Sequence, residues 1–330
     1  MDSNKRPLVG AIRWDAWGGE VDYPNAPGSQ TQRTLSASKY HHRLPWYAEV
    51  TGSDSVKIPL YTQELIDQEI KYSCEAGLDY WAFVMYEPGG NSLARDLYLQ
   101  SEIKNGIKWA ALIGASAYSF DYYPWMVSQF KEPNYQKTED GRPIVFERVE
   151  DAYDDMENYL KIASTLREEA KKQGVKEPYL VVMDASSKEI AKEFKPDAIS
   201  SYSAPGVDGQ PFTDMTANSI KLWDKWLGWC DQVVPMVTSG WDPNPRLDSP
   251  VTWYQGYGKN EWAQEGTAQE IAEHIAESIE WNNKQKNPSD ILLIYAWNEN
   301  DEGGWLMPTW TSEGKPDTSR IDAVRAVLKK

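Results

Sequence analysis

Hydrophobic and polar positions along this chain follow two periods in turn, and their alternation predicts most of its elements. Short apolar runs rich in β-branched residues, of the kind buried on both faces of a sheet, recur at 8–14, 78–86, 107–113, 143–146, 179–183, 198–202, 233–237 and 291–296. Between them, apolar residues return every three or four positions, as on one face of a helix. These stretches hold Leu65, Ile66, Ile70 and Cys74 after Thr62, then 93–104, a segment around 122–131, and Met156, Leu160, Ala163 and Leu166 within 152–173. They continue at 188–194, at 217–229, at Ile271, Ile275 and Ile279 behind a Thr267/Glu270 capping box, and at Ile321, Val324, Val327 and Leu328. Eight strands alternating with eight helices in 330 residues predict one (β/α)8 barrel domain spanning 1–330, with a doubly wound open sheet as the alternative. No repeat, low-complexity tract or linker divides the chain.

The connections are unequal. Gly77, Gly106 and Gly174 each fall between a helix and the next strand, where C-terminal caps belong, and those links are short. Links leaving the strands are long and aromatic, at 18–61, 115–142, 239–265 and 297–316. In a barrel these βα loops build the active face. Residues falling there are candidates for substrate contact: Trp14, Asp15 and Trp17 after the first strand, Tyr86 and Glu87 after the second, Tyr202 after the sixth, and Trp241, Asp242 and Arg246 after the seventh. Asp184 follows the fifth strand, and His41 and His42 lie in the first long loop, with His42 retained as a sugar-binding candidate. The structural alternative for each is a helix cap or an Asp/Arg ion pair. His274 flanks the apolar stripe of its helix and reads as structural.

The eighth run ends abruptly. Ile291 to Ala296 is followed at once by Trp297, Asn298, Glu299, Asn300, Asp301, Glu302, Gly303, Gly304 and Trp305. Two carboxylates three residues apart, at the end of a buried strand and between indoles, suit an enzyme that protonates one oxygen while deprotonating or attacking another. Glu299 and Glu302 are therefore the expected catalytic pair, with Trp297, Asn298 and Trp305 as substrate-binding neighbours.

Composition narrows the substrate. With 50 Asp plus Glu against 34 Lys plus Arg, the net charge of −16 opposes binding to nucleic acid or anionic membrane. The 16 Trp and 19 Tyr outnumber 6 Phe, and such rings stack an apolar face while their polar edge hydrogen-bonds, as the faces and hydroxyls of sugars require. An oligo- or polysaccharide is the expected partner of a monomeric chain. Cys74 and Cys230 read as buried thiols without a disulfide framework, and three scattered histidines do not make a zinc site, so no metal is expected. The start, Met1 to Arg6, leads into no apolar h-region, and no run reaches membrane-spanning length. A periplasmic or secreted protein whose leader has been removed is the expectation, with the cytoplasm as the alternative.

The motif from Trp297 to Gly303, with Leu306-Met307-Pro308-Thr309 behind it, resembles the Trp-Asn-Glu-x-x-Glu-Gly…Pro signature of glycoside hydrolase family 99-like, or WbsX-like, domains. Asn134-Tyr135 with Asp140-Gly141-Arg142-Pro143-Ile144-Val145 is similar to the family's entry into strand four, and Ser239-Gly240-Trp241-Asp242 with Pro245-Arg246 to its loop after strand seven. The resemblance implies a barrel that hydrolyses glycosidic bonds of α-mannan-type glycans with retention and without a cofactor. Glu299 would act as base on the sugar 2-hydroxyl, giving a 1,2-anhydro sugar, and Glu302 would protonate the leaving oxygen and then activate water. Glu302 would then be protonated near neutral pH, promoted by repulsion from Asp301 and Glu299. Asn300-Asp301 replaces the aromatic or imidazole residues of characterised endomannosidases, and the first strand also differs, so a pair completed by Asp15, Glu87 or Asp242 stays open. Two other classes compete: a carbohydrate-binding barrel without catalysis, and a glycosyltransferase, against which stands the absence of a phosphate loop, an Asp-x-Asp motif or a basic cluster.

Overall fold

The computed structural model describes residues 6–18, 26–86, 92–114, 120–149 and 152–329. Eight parallel strands are hydrogen-bonded side by side: β1 (Leu8–Arg13), β2 (Tyr80–Val84), β3 (Lys108–Gly114), β4 (Ile144–Arg148), β5 (Tyr179–Met183), β6 (Ala198–Ser200), β7 (Met236–Thr238) and β8 (Ile291–Tyr295). Their spatial order is β6-β5-β4-β3-β2-β1-β8-β7. The two ends of this order meet through a bridge between Ile199 and Val233, with Val234 N donating to Ile199 O at 2.9 Å. The sheet thus closes into a (β/α)8 barrel, and the open doubly wound alternative is excluded.

Side chains alternate across each strand, which sorts the barrel into an inner and an outer layer. Ile12, Tyr80, Ala82, Ala110, Leu112, Ile144, Phe146, Val181, Leu293 and Tyr295 fill the interior. Tyr80 shows how tightly: its hydroxyl reaches Leu292 O at 2.7 Å, and a Cβ on Gly10 would lie 2.2 Å from its ring. The opposite faces, with Val9, Trp81, Trp109, Val145, Leu180 and Leu292, pack under the helices. Arg13 and Glu147 belong to this outer set and are buried there. Arg13 pairs with Asp15 (2.9 Å) and with Glu69.

The helical layer is α1 (Gln63–Ala76), α2 (Leu93–Gln100), α3 (Tyr123–Gln129), α4 (Ala152–Lys172), α5 (Lys188–Glu193), α6 (Phe212–Trp226), α7 (Ala268–Asn283) and α8 (Ser319–Leu328). Helix α1 begins at a Thr62 cap and ends at Gly77, whose φ of 85° supplies the left-handed terminus. Helix α7 carries the expected Thr267/Glu270 capping box. Helix α8 packs against both α7 and α1, which completes the outer ring.

Three expectations shift. Helix α6 starts at Phe212, five positions before the expected 217, because buried Phe212, Met215 and Thr216 extend its inner face toward Pro211. The first long loop is not without helix: it contains a helix Pro27–Thr34, a 3-10 segment Ser38–Arg43 and a hairpin of Glu49–Gly52 with Ser55–Lys57. That helix escapes hydrophobic periodicity because the residues it buries are Gly28, Gln30, Thr31 and Thr34. Cys74 and Cys230 are free thiols, as expected, but only half-buried.

Candidate active site

The residues after β8 fold into a tight antiparallel hairpin, Asn298–Glu299 against Gly304–Trp305, with a 3-10 turn Asn300–Glu302 at its tip. Two glycines let the loop after β7 lie directly on this turn. A Cβ on Gly240 would sit 2.0 Å from Gly303 O, and one on Gly303, at φ 86°, would sit 2.5 Å from Asp242 N. The main chains are joined where they cross, with Asp242 N donating to Glu302 O at 2.6 Å. This crossing holds Arg246 against the turn.

Arg246 is the hub of the site. Its Nε and Nη2 donate to the two oxygens of Asp301, each at 2.8 Å, its Nη1 donates to Glu302, and its Nη2 lies 3.5 Å from Glu299 Oε2. Asp301 also accepts from Thr34 Oγ1 (3.1 Å), which ties in the short helix of the first loop. Glu299 accepts from Tyr202 Oη at 2.5 Å, and Glu302 from Tyr295 Oη and Tyr257 Oη. All three carboxylates are buried.

Burial and the adjacent carboxylates push the hydroxyls of Tyr202, Tyr257 and Tyr295 far above the ordinary phenol range, which keeps them as donors. Burial first and the Glu302 charge second raise Glu299 well above the usual carboxylate value, against Arg246 and Tyr202. Burial opposes the charge of Arg246, but Asp301 and Glu302 outweigh it and hold the guanidinium charged. Glu302 is the more heavily hydrogen-bonded of the two glutamates, with three donors.

The other expected residues divide into a lining and a frame. Trp14 lies under Arg246, with 4.9 Å from its ring to the guanidinium carbon, and donates from Nε1 to Tyr86 Oη at 2.6 Å. Trp241 packs on Tyr295 and Tyr257, with ring centroids 5.6 and 6.4 Å apart. Tyr202 is oriented by Arg148, whose guanidinium covers its ring at 4.2 Å, and by Asp184, which accepts from Tyr202 N at 2.9 Å and from Arg148 Nε at 3.0 Å.

Asp15, Trp17, Trp297, Asn298, Asp242 and Trp305 are placed in the frame. Asn298 clamps the end of β1 by exchanging hydrogen bonds with the Trp14 main chain (2.6 and 2.9 Å), and Trp17 Nε1 donates to Asn298 O at 2.7 Å. Asp15 faces Arg13, and Trp297 donates to Glu69 at 3.1 Å. Asp242 pairs with Arg43 at 2.6 Å, and Arg320 stacks on Trp305 at 3.6 Å. The carboxylates of Asp15 and Asp242 are thus each paired with an arginine of the frame, Arg13 and Arg43. His42 is exposed and meets Glu265 at 3.1 Å, part of a clasp in which Glu265 also meets Arg43 and Arg320. Glu87 lies outside the described residues. His274 is buried against Trp223, its rings stacked at 5.6 Å, as a structural residue should be.

Sequence reading missed Thr34, Arg148, Tyr257, Tyr295 and Asp301 as site residues. Tyr295 was accessible from alternation along β8, which turns it inward with Leu293, and Asp301 from its place in the motif. Thr34 ends a helix that buries only polar and glycine positions, and Tyr257 lies in a loop, so neither carries a hydrophobic period. Among the described residues no group of three His, Cys, Asp or Glu side chains is arranged to hold a metal ion. A cleft of about 820 Å³, lined by Arg6, Asp79, Lys108 and Asp290 among others, opens at the opposite, N-terminal end of the barrel.

The fold is similar to that of a family GH99 endo-α-mannosidase from Bacteroides thetaiotaomicron in complex with BIS-TRIS-propane, with a TM-score of 0.61 and 14% identity over 100% of this chain and 97% of that one. A second structure of a GH99 endo-α-mannosidase from that organism gives a TM-score of 0.58 at 14% identity, with the same coverage. A protein described as glycoside hydrolase-like gives 0.63 at 12% identity, over 99% of this chain and 95% of that one. No protein-family model matches the chain, and no curated protein matches it.

Proposed function

We propose that this chain is a glycoside hydrolase acting on an oligo- or polysaccharide outside the cytoplasm, with Glu299 and Glu302 as its catalytic pair. The observation that carries the reading is the convergence of two buried glutamates on one guanidinium, Arg246, at the C-terminal mouth of the barrel. Likeness of fold to GH99 endo-α-mannosidases supports it, and makes an α-mannan-type glycan the first substrate to try.

In the mechanism that the motif suggests, Glu299 removes the proton of the sugar 2-hydroxyl as O2 attacks C1, and Glu302 gives its proton to the leaving oxygen. Water, deprotonated by Glu302, then opens the 1,2-anhydro ring at C1 while Glu299 returns its proton to O2. Two displacements at C1 leave the configuration retained. The hydroxyls of Tyr202, Tyr257 and Tyr295 stay protonated throughout and solvate whichever glutamate is charged. A second reading is favoured by the three hydrogen-bond donors, Arg246, Tyr257 and Tyr295, that converge on Glu302 beside the raised carboxyl of Glu299: Glu299 then serves as the acid and Glu302 as the base or nucleophile.

The test is release of reducing ends from a panel of yeast, plant and algal polysaccharides by the wild type, Glu299→Gln and Glu302→Gln. Activity lost in both variants while glycan binding persists is the expected result. Undiminished release by Glu302→Gln overturns the assignment of the pair. Binding without release from any substrate would favour a non-catalytic barrel, and transfer from a nucleotide sugar would favour a glycosyltransferase. Aryl glycosides with a good leaving group separate the two assignments, because only the variant that has lost its acid keeps turning them over.

A further inference from the structure

The loop after β7 carries a feature that the catalytic pair does not use. Among the described residues, Trp253 and Tyr254 are the only aromatic side chains that are exposed, at 38% and 44%; every other Trp, Tyr or Phe whose side chain is described is at least partly buried. The two are consecutive, within an exposed run 252–256. Both ends of that run are anchored. Thr252 exchanges hydrogen bonds with Gln30 at 2.7 and 3.0 Å, and Tyr257 donates to Glu302. Inward, Trp253 meets Trp14 with centroids 5.6 Å apart and lies 5.9 Å from the guanidinium carbon of Arg246, while Tyr254 meets the Tyr257 ring edge-on at 4.5 Å. The exposed rings are thus one residue's breadth from the carboxylates, on the Glu302 side of the pair.

Where every other described aromatic ring is at least partly buried, an indole and a phenol exposed beside the carboxylates suit an apolar partner that is present only part of the time. The face of a pyranose ring fits: its C–H groups pack on an aromatic face while its hydroxyls remain solvated. We propose that Trp253 and Tyr254 form the stacking platform of a sugar subsite adjacent to the scissile bond, so that the protein binds its glycan through at least two consecutive rings. The platform rests on the glycosidase reading above and adds to it a specificity for chains over single sugars.

Affinity electrophoresis tests this through gels cast with yeast α-mannan, galactomannan, laminarin or arabinogalactan, using Glu302→Gln as the non-hydrolysing parent. Retardation by at least one polysaccharide is expected. Adding Trp253→Ala is expected to weaken that binding about tenfold, Trp253→Phe to retain most of it, and Trp229→Ala, at the far end of the barrel, to leave it unchanged. Exposure of Trp253 means that the variant folds, which an unchanged melting temperature would verify. Retardation that survives Trp253→Ala and Tyr254→Ala intact overturns the platform but leaves the hydrolase reading standing. Absence of retardation by every polysaccharide, together with no reducing-end release by the wild type, overturns both.

Discussion

Replacing Glu147 by Gln should stabilise the protein, increasingly so as pH rises. Glu147 sits on the outer face of β4, fully buried beneath the helices, and neither of its carboxyl oxygens is hydrogen-bonded. Burial pushes its carboxyl up to about 8, with only weak opposition from Arg167. A group raised in the folded state contributes its full stability below the unfolded value and loses it as pH climbs through the folded value. Between 4.5 and about 8 the unfolded chain ionises while the folded one must hold the proton. At about 1.36 kcal/mol per pH unit, about 3 kcal/mol is lost by pH 7 and about 5 kcal/mol by pH 9. Glutamine keeps the shape and carries no charge, so the variant escapes the loss. Urea midpoints followed by tryptophan fluorescence should coincide for wild type and variant near pH 4 and diverge steadily above pH 5. At pH 7 the gain corresponds to about 6 °C in melting temperature, taking about 2 °C per kcal/mol for a domain of this size. Parallel stability curves from pH 4 to 9 would refute the reasoning.

Other expectations concern the site and its frame. Tyr202→Phe removes the donor that opposes the upward shift of Glu299, so the limb of the pH–rate profile governed by Glu299 should move to higher pH and turnover fall about tenfold or more; an unmoved limb would separate Tyr202 from Glu299. Arg246→Met strands Asp301 as a buried charge, and a loss of about 3 to 5 kcal/mol in a chemical unfolding titration is expected, whereas a loss under 1 kcal/mol would show that the hub is not needed for folding. Gly303→Ala forces a side chain into a left-handed φ of 86° and against Asp242 N, so activity should collapse even where the melted fraction at assay temperature is small. His274 is held neutral, its value lowered by burial to about 3; its contribution is present above pH 6.5 and lost as pH falls toward 3, so His274→Phe should flatten the acid side of the stability profile measured by circular dichroism.

Most of the barrel was legible because its elements bury continuous apolar faces. The run that became β8 and the stripe of α7 were read at nearly their observed positions, since Ile and Leu there have no competing polar role. Legibility failed where polar residues do the burying. The helix Pro27–Thr34 packs through Gln30, Thr31 and Thr34, and no hydrophobic period reveals it. The same physics explains the site. Glu299 and Glu302 stand out because charge follows a core strand without a break. Trp17, Trp297 and Trp305 drew notice for their size, yet a large ring at a barrel rim serves the frame as readily as the substrate, and only contacts distinguish the two. Tyr257 and Thr34 reach the carboxylates through loop geometry that neighbouring residues in sequence do not encode.

The closure of the barrel is uneven. Between β2 and β3 five residue pairs are in register, whereas β6 meets the segment leading into β7 through the bridge of Ile199 with Val233 and the hydrogen bonds of Ile199 N to Gln232 O, Val234 N to Ile199 O and Ser200 Oγ to Val234 O. Local opening costs least where fewest backbone bonds must part, so amide hydrogen exchange is expected to be fastest along that joint. The strands on either side of that joint lead into Tyr202 on one hand and into Arg246 with the Trp253–Tyr254 loop on the other. The site thus straddles this joint, with Tyr202 on one flank and Arg246 on the other, while the hairpin carrying Glu299 and Glu302 is continuous with β8.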